Sequence, residues 1–172
     1  MKSNPLGFTL VELLTTLAVL TVVITVAIPA LSSTTDSIRE RTQINQLMGD
    51  LNFARSRAIT SRRPVSICAG KADCDRLAKW SGQILIFDDL NANGIFDQDD
   101  VLLRTTRVEG GHTWTWRNFR QQRYMMFKPD GTTHSLNGTF ILCREDTALK
   151  KIVINITGRA RLASPTAEDR CA

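Results

Sequence analysis

The run from Leu13 to Thr35, 23 consecutive positions without a charged side chain, most constrains what this chain can fold into. Its Leu, Val, Ile and Ala content is that of a bilayer-crossing helix, for which about 20 apolar residues suffice. A cleaved secretory signal would have a shorter apolar core followed by a small-residue cleavage site. Here the small-residue junction, Gly7-Phe8, comes before the run, so cutting there leaves the hydrophobic segment on the mature chain. Lys2 is the one charge ahead of that junction and favours a cytoplasmic N-terminus, with everything after Leu31 exported. Glu12 stands at the head of the run, where an ionisable group is costly and by default functional.

An exported location fits four cysteines, an even number that permits three pairings. We favour Cys68–Cys74, which encloses the short loop AGKAD, and Cys143–Cys171, which ties the C-terminus back to an inner strand. The spacings CX5C and CX27C lack a CXXC knuckle and so do not describe a zinc site. Net charge is +5, and the excess stays in the exported part, since Lys2 and Glu12 fall outside it as a pair of opposite sign. That balance points to an acidic partner, although many exported domains are equally basic.

A single long helix is expected from Phe8 to about Ser61, kinked or locally melted at Pro29, where a backbone donor is missing. Ile38, Ile44, Leu47, Met48, Leu51, Ala54, Ala58 and Ile59 recur at steps of three or four. Arg39, Glu40, Asp50, Arg55 and Arg57 lie mostly off that stripe. Arg62, Arg63 and Pro64 end the helix. Short β-type runs follow at Val65–Cys68, Gln83–Asp88, Val101–Arg107, His112–Trp116, Tyr124–Phe127, Gly138–Cys143 and Ile152–Thr157. Turn chemistry separates them at Asn91–Gly94, Gly110–Gly111, Lys128–Gly131 and Asn137–Gly138. The expected architecture is α+β, one long helix laid on an antiparallel sheet. Its segments are a leader (1–7), a membrane or filament-core helix (8–31), the amphipathic half of the same helix (32–63) and a β-rich exported domain (64–172).

Gly7, Phe8, Thr9, Leu10, Val11, Glu12, Leu13 and Pro29 together resemble the N-terminus of a type IV pilin or type II secretion pseudopilin. The resemblance implies the pilin fold, cleavage by a prepilin peptidase after Gly7 and methylation of the new N-terminal Phe8. It implies an inner-membrane stage before assembly with other major and minor pilins, no enzymatic activity and no cofactor. Glu12 becomes the fifth residue of the mature chain. In a bundle of apolar helices its carboxylate must be neutral or paired, and the free amine of Phe8 on a neighbouring subunit is the candidate partner. Further along, the order of helix, FARSRA segment, strand, acidic hairpin and C-terminal GRAR resembles the GspH/FimT branch of minor pilins. This implies a low-abundance subunit near a pilus tip.

In GRAR, Gly158-Arg159-Ala160-Arg161, two arginines one residue apart project to the same side of an extended chain, roughly 6.6 Å apart. That spacing suits neighbouring phosphates, and each guanidinium can grip one bidentately. The pattern resembles the GRxR motif of FimT proteins that bind DNA in natural transformation, and Arg144, Lys150 and Lys151 are neighbours that would extend a basic patch. The plainer reading is a glycine turn followed by two solvated arginines. A structural subunit that primes pilus assembly, or a type II secretion pseudopilin, needs no DNA role.

Asp89, Asn91, Asn93, Asp97 and Asp100 fall at positions one, three, five, nine and twelve of an EF-hand loop, with Gly94 at six. Calcium is the ion this pattern would take, weakened by Asp in place of the final Glu, and the flanks read as strands. The alternative is a polar hairpin tip with Asn-Gly turn chemistry. Trp114 and Trp116 alternate onto one face and read as core or interface. Arg117, Arg120 and Arg123 read as a solvated loop, with a second phosphate contact as the alternative, and His112 and His134 lack any nucleophile or acid placed beside them by sequence.

Overall fold

The computed structural model describes residues 9–133 and 135–171, with the backbone course alone over 26–34. Gly7, Phe8 and His134 lie outside the described residues. Helix α1 spans Leu10–Ser61 without interruption, so the helix does not melt at position 29. Thr9 precedes the helix as its N-cap, and its Oγ1 accepts the backbone N–H of Glu12 at 3.3 Å. Arg62, with φ of 55°, turns the chain out of the helix into Arg63 and Pro64.

The chain divides into two compact units, residues 1–39 and 40–172. In the first, Leu10, Val11, Leu13, Leu14, Leu17, Val19, Leu20, Val22, Val23 and Ile24 are all exposed. The hydroxyls of Thr15, Thr16, Thr21 and Thr25 donate to backbone carbonyls one turn back, at 2.8–3.0 Å. Such polar groups are satisfied inside the helix and cost little in an apolar surrounding. Among the described residues no helix is long and apolar enough to cross a membrane. The side-chain description stops at Thr25 in this region, and the uncharged run of the sequence continues to Thr35.

In the second unit, residues 40–61 of α1 bury Ile44, Leu47, Leu51, Ala54 and Ala58, a repeat of alternating three and four. Ile38 and Ile59, expected on this stripe, are exposed, whereas Asp50, expected off it, is buried. Asp50 is tolerated there because Arg104 reaches it at 3.2 Å while stacking 4.0 Å above the Phe53 ring. A second buried acid, Asp88, takes both nitrogens of the Arg57 fork at 3.3 and 2.9 Å.

Two antiparallel sheets, rather than one, pack against this helix. β1 (Val65–Ala69), β3 (Gln83–Asp88), β4 (Val101–Arg107) and β6 (Tyr124–Phe127) form sheet A in the order β4-β3-β1-β6. Sheet B takes β2 (Lys79–Trp80), β5 (His112–Asn118), β7 (Gly138–Arg144), β8 (Thr147–Ile154) and β9 (Ala160–Ala163), in the order β2-β5-β7-β8-β9. Their inner faces share one core with the helix, including Val65, Ile67, Ile84, Ile86, Phe127, Trp114, Trp116, Leu142, Ile152 and Ile154. Phe140 is its centre in sheet B, with ring centroids 4.2 Å from Trp116, 4.9 Å from Trp80 and 6.4 Å from Trp114. Strand β8 starts five residues earlier than the alternation of Ile152, Ile154 and Ile156 indicates. Ile156 sits on the following turn and is exposed, so the isoleucine run crosses the end of the strand.

Each sheet also has an outer face under a disulfide-tethered cover. On sheet A, Cys68, Leu85 and Phe87 lie beneath Cys74 and Phe96, with Cys68 bonded to Cys74. On sheet B, Ile141 and Cys143 lie beneath the C-terminal tail, with Cys143 bonded to Cys171. Both favoured pairings are present.

Candidate nucleic-acid interface

The GRAR segment forms the second limb of a tight hairpin between β8 and β9. Gly158 N–H donates to the Asn155 carbonyl at 3.0 Å, and Asn155 N–H to the Arg159 carbonyl at 3.2 Å. The Asn155 side chain accepts from Thr157 Oγ1 and from Arg159 N–H, at 2.8 and 2.9 Å. Gly158 has φ of +76°, as a three-residue hairpin loop with a glycine bulge requires. It is buried against Gly131 of the Lys128–Gly131 turn, and a Cβ there would collide with the Gly131 carbonyl oxygen. Arg55 of α1 ties the two turns together, donating Nε to the Gly131 carbonyl and Nη2 to the Thr157 carbonyl, both at 3.0 Å. Sequence reading placed Arg55 beside the helix stripe and missed this role; the signal was its place in the FARSRA segment.

Gly158 therefore shapes the turn, and the two arginines are what the turn presents. Arg161 lies opposite Val153 and Arg159 opposite Asn155, so both project from the outer face of sheet B. Both are exposed, and neither guanidinium makes a hydrogen bond or ion pair among the described residues.

The other basic neighbours do not join them. Lys151 is on the same face but is half-buried in an ion pair with Asp169 at 2.7 Å. Burial pushes the Asp169 carboxyl up, and its bonds from Lys151 and from the Thr166 N–H and hydroxyl outweigh that, holding it below the usual carboxylate range. Lys150 is one residue out of phase, opposite Leu142 of the inner face. Arg144 lies at the far end of β7, where its guanidinium is 3.5 Å from His112 Nε2.

The acidic loop between β3 and β4 is closed by its own hydrogen bonds. Asp89 accepts from Ser66 Oγ at 2.6 Å and from the N–H groups of Asn93 and Gly94 at 3.1 and 2.8 Å. Asp100 accepts from Leu90 and Asp97 N–H at 3.0 and 3.2 Å. Asn91 and Asn93 turn their amide NH2 groups onto Asp97 at 3.0 and 3.1 Å, which holds that carboxyl below its usual range. Burial first, then the charges of Asp89 and Asp97, push Asp100 up against those two N–H bonds. The flanks are strands, and among the described residues no three acidic, His or Cys side chains converge as ion ligands. Glu12 is exposed in the first turn of α1, and its carboxylate has no partner among the described residues.

A long N-terminal helix whose C-terminal half packs on antiparallel sheets is the fold of type IV pilins. The chain belongs to the GspH family, since the model of the type II transport protein GspH matches residues 43–158. The prokaryotic N-terminal methylation motif matches residues 2–28 and implies prepilin processing, membrane anchoring and assembly with other pilins. Among solved structures, one crystal form of the type IV minor pilin FimU of Pseudomonas aeruginosa (strain PAO1) is 24% identical with a TM-score of 0.61, covering 81% of this chain and 99% of that one. A second crystal form is 25% identical with a TM-score of 0.59, covering 77% of this chain and 99% of that one. No curated protein matches. Family and fold are those of structural pilins.

Proposed function

We propose that this chain is a minor pilin near the tip of a type IV pilus that binds DNA without sequence preference during uptake in natural transformation. The supporting observation is the pair Arg159 and Arg161, exposed, uncompensated and held on one face by a hairpin whose glycine is fixed by packing. Uncompensated guanidiniums at strand spacing grip phosphates and carry no base readout, so binding weakens steeply with salt. The test is an Arg159→Gln/Arg161→Gln double variant scored for transformation and surface piliation. The expected result is transformation reduced by about tenfold or more with normal pili, as for loss of two phosphate contacts. Unchanged transformation would remove the DNA role. Loss of both traits would favour a subunit that primes assembly, the reading closest to the GspH match.

In the same proposal a prepilin peptidase cleaves after Gly7, Phe8 is methylated, and the chain rests in the inner membrane with its C-terminal domain periplasmic until assembly. Glu12 then pairs with the Phe8 amine of a neighbouring subunit. Its carboxylate caps nothing among the described residues, while the Thr9 cap of the helix uses only the Glu12 backbone. Glu12→Gln should leave membrane insertion intact and reduce recovery in sheared pili; full recovery of that variant would exclude the pairing. A calcium role for the Asp89–Asp100 loop would require its Asn amides to reverse, and calorimetry with calcium tests it directly.

A further inference from the structure

The motif arginines share their face with a second set of uncompensated guanidiniums. Arg161 lies opposite Val153, Val153 opposite Thr139, and Thr139 opposite Arg117. Directly opposed residues of antiparallel strands point the same way, so this row crosses the outer face of sheet B from β9 to β5. Three strand spacings separate its ends, about 14 Å. Beyond Arg117 the face opens into a groove of about 450 Å³, lined by Arg117, Arg123 and Arg170 together with Asn118 and Gln122, and by no acidic side chain. The tail brings Arg170 there, because Cys171 is bonded to Cys143 of β7. No acid forms an ion pair with these three arginines among the described residues. Asp169 is taken by Lys151, and Arg117 donates to the backbone carbonyl of Glu168 at 3.0 Å, not to its carboxylate. The side chains of Arg123 and Arg170 make no hydrogen bond or ion pair among the described residues.

We propose that one DNA backbone runs from Arg159 and Arg161 across the outer face of sheet B into this groove, where Arg117, Arg123 and Arg170 form a second phosphate anchor. The inference rests on the DNA-binding reading above and extends its site. At the roughly 6.6 Å that suits neighbouring phosphates, a separation of about 14 Å is about two phosphate steps along a strand, so the two anchors meet different phosphates and release separate counterions. Val153 and Thr139, between them, are half-buried and modest in size, the next same-face pair along the strands from the Lys151 and Ile141 positions that the tail covers.

The test is the salt dependence of binding by the full-length mature protein in detergent, using a fluorescent random-sequence duplex and the same strand alone. Arg123→Gln/Arg170→Gln is the informative variant, because neither side chain supports the fold. The slope of log affinity against log salt should fall by about two, roughly 0.9 per contact, with an affinity loss of about tenfold. Arg123→Lys/Arg170→Lys should recover most of the slope. If the wild-type protein binds, Arg159→Gln/Arg161→Gln weakens it, and the Arg123/Arg170 glutamine pair leaves affinity and slope unchanged, the second anchor is refuted while the motif reading stands. If the wild-type protein binds neither probe at low salt, both readings fall together.

Discussion

Replacing Phe140 with alanine should lower the unfolding free energy by about 3–5 kcal/mol, the range for deleting a fully buried aromatic ring. The residue has no solvent exposure and stands on the middle strand of sheet B, within 4.9 Å of two indoles and 6.4 Å of a third. Trp80 comes from the two-residue edge strand β2, Trp114 and Trp116 from β5, so one ring joins three positions of the sheet. The indoles cannot close the gap without leaving their own contacts, among them Trp116 Nε1 donating to the Tyr124 carbonyl at 3.0 Å. Phe140→Leu keeps most of the volume and should cost less than half as much. Thermal unfolding followed by tryptophan fluorescence reads both. A loss below about 1 kcal/mol in the alanine variant would mean that the ring does not organise this core.

Gly158→Ala should destabilise the second unit by about 2–4 kcal/mol, for two separable reasons. A φ of +76° costs a residue with a Cβ about 1–2 kcal/mol, and the methyl group must also displace the Gly131 carbonyl and the Arg55 side chain behind it. The variant tests what the glycine of the GRAR motif is for. As a turn residue it should change stability and disturb Arg159 and Arg161 only through the hairpin. Gly131→Ala, on the facing turn at φ of +77°, should behave alike because its Cβ would come within 2.7 Å of the Ile59 side chain. Chemical denaturation measures the change. Wild-type stability of Gly158→Ala would show that the hairpin can relax, and would return the glycine to a role in binding.

Much of this architecture was legible in the sequence, and the residues that escaped did so for physical reasons. The Ile44–Ala58 stripe and the alternation of Trp114 with Trp116 are strong periodic signals, because each marks a face buried continuously, and the uncharged run stands out by composition alone. The turns at Lys128–Gly131 and Asn91–Gly94 carry their own chemistry. Strand β9, by contrast, is an edge with two exposed residues in four, and its Arg159–Arg161 stretch reads as loop. Strand β2 is two residues long and owes its place to pairing with β5. The early part of β8 is hidden by Lys150 and Lys151, whose alternation with apolar neighbours is invisible without the second sheet. Asp50 read as lying off the buried stripe, and no partner was evident for Asp88, because their arginines come from elsewhere in the chain, 54 and 31 residues away. For the site, the GRAR pair was readable locally. Arg117 and Arg123 offered a second phosphate contact as the alternative to a solvated loop, but their place beside the motif face, and Arg170 altogether, came only with strand order and the Cys143–Cys171 bond.

That bond also sets an order of events. Disulfides form after transfer to an oxidising compartment, so the newly made chain carries its last residues loose. Oxidation of Cys143 with Cys171 fixes the neighbouring Arg170 at the groove, together with the Lys151–Asp169 ion pair and the Arg117 bond to the Glu168 carbonyl. On the proposed topology, with the C-terminal domain periplasmic, the basic face is therefore completed on the far side of the membrane. A subunit still facing the cytoplasm would then have the motif but not the finished surface, which separates its maturation in time from the nucleic acid of its own cell.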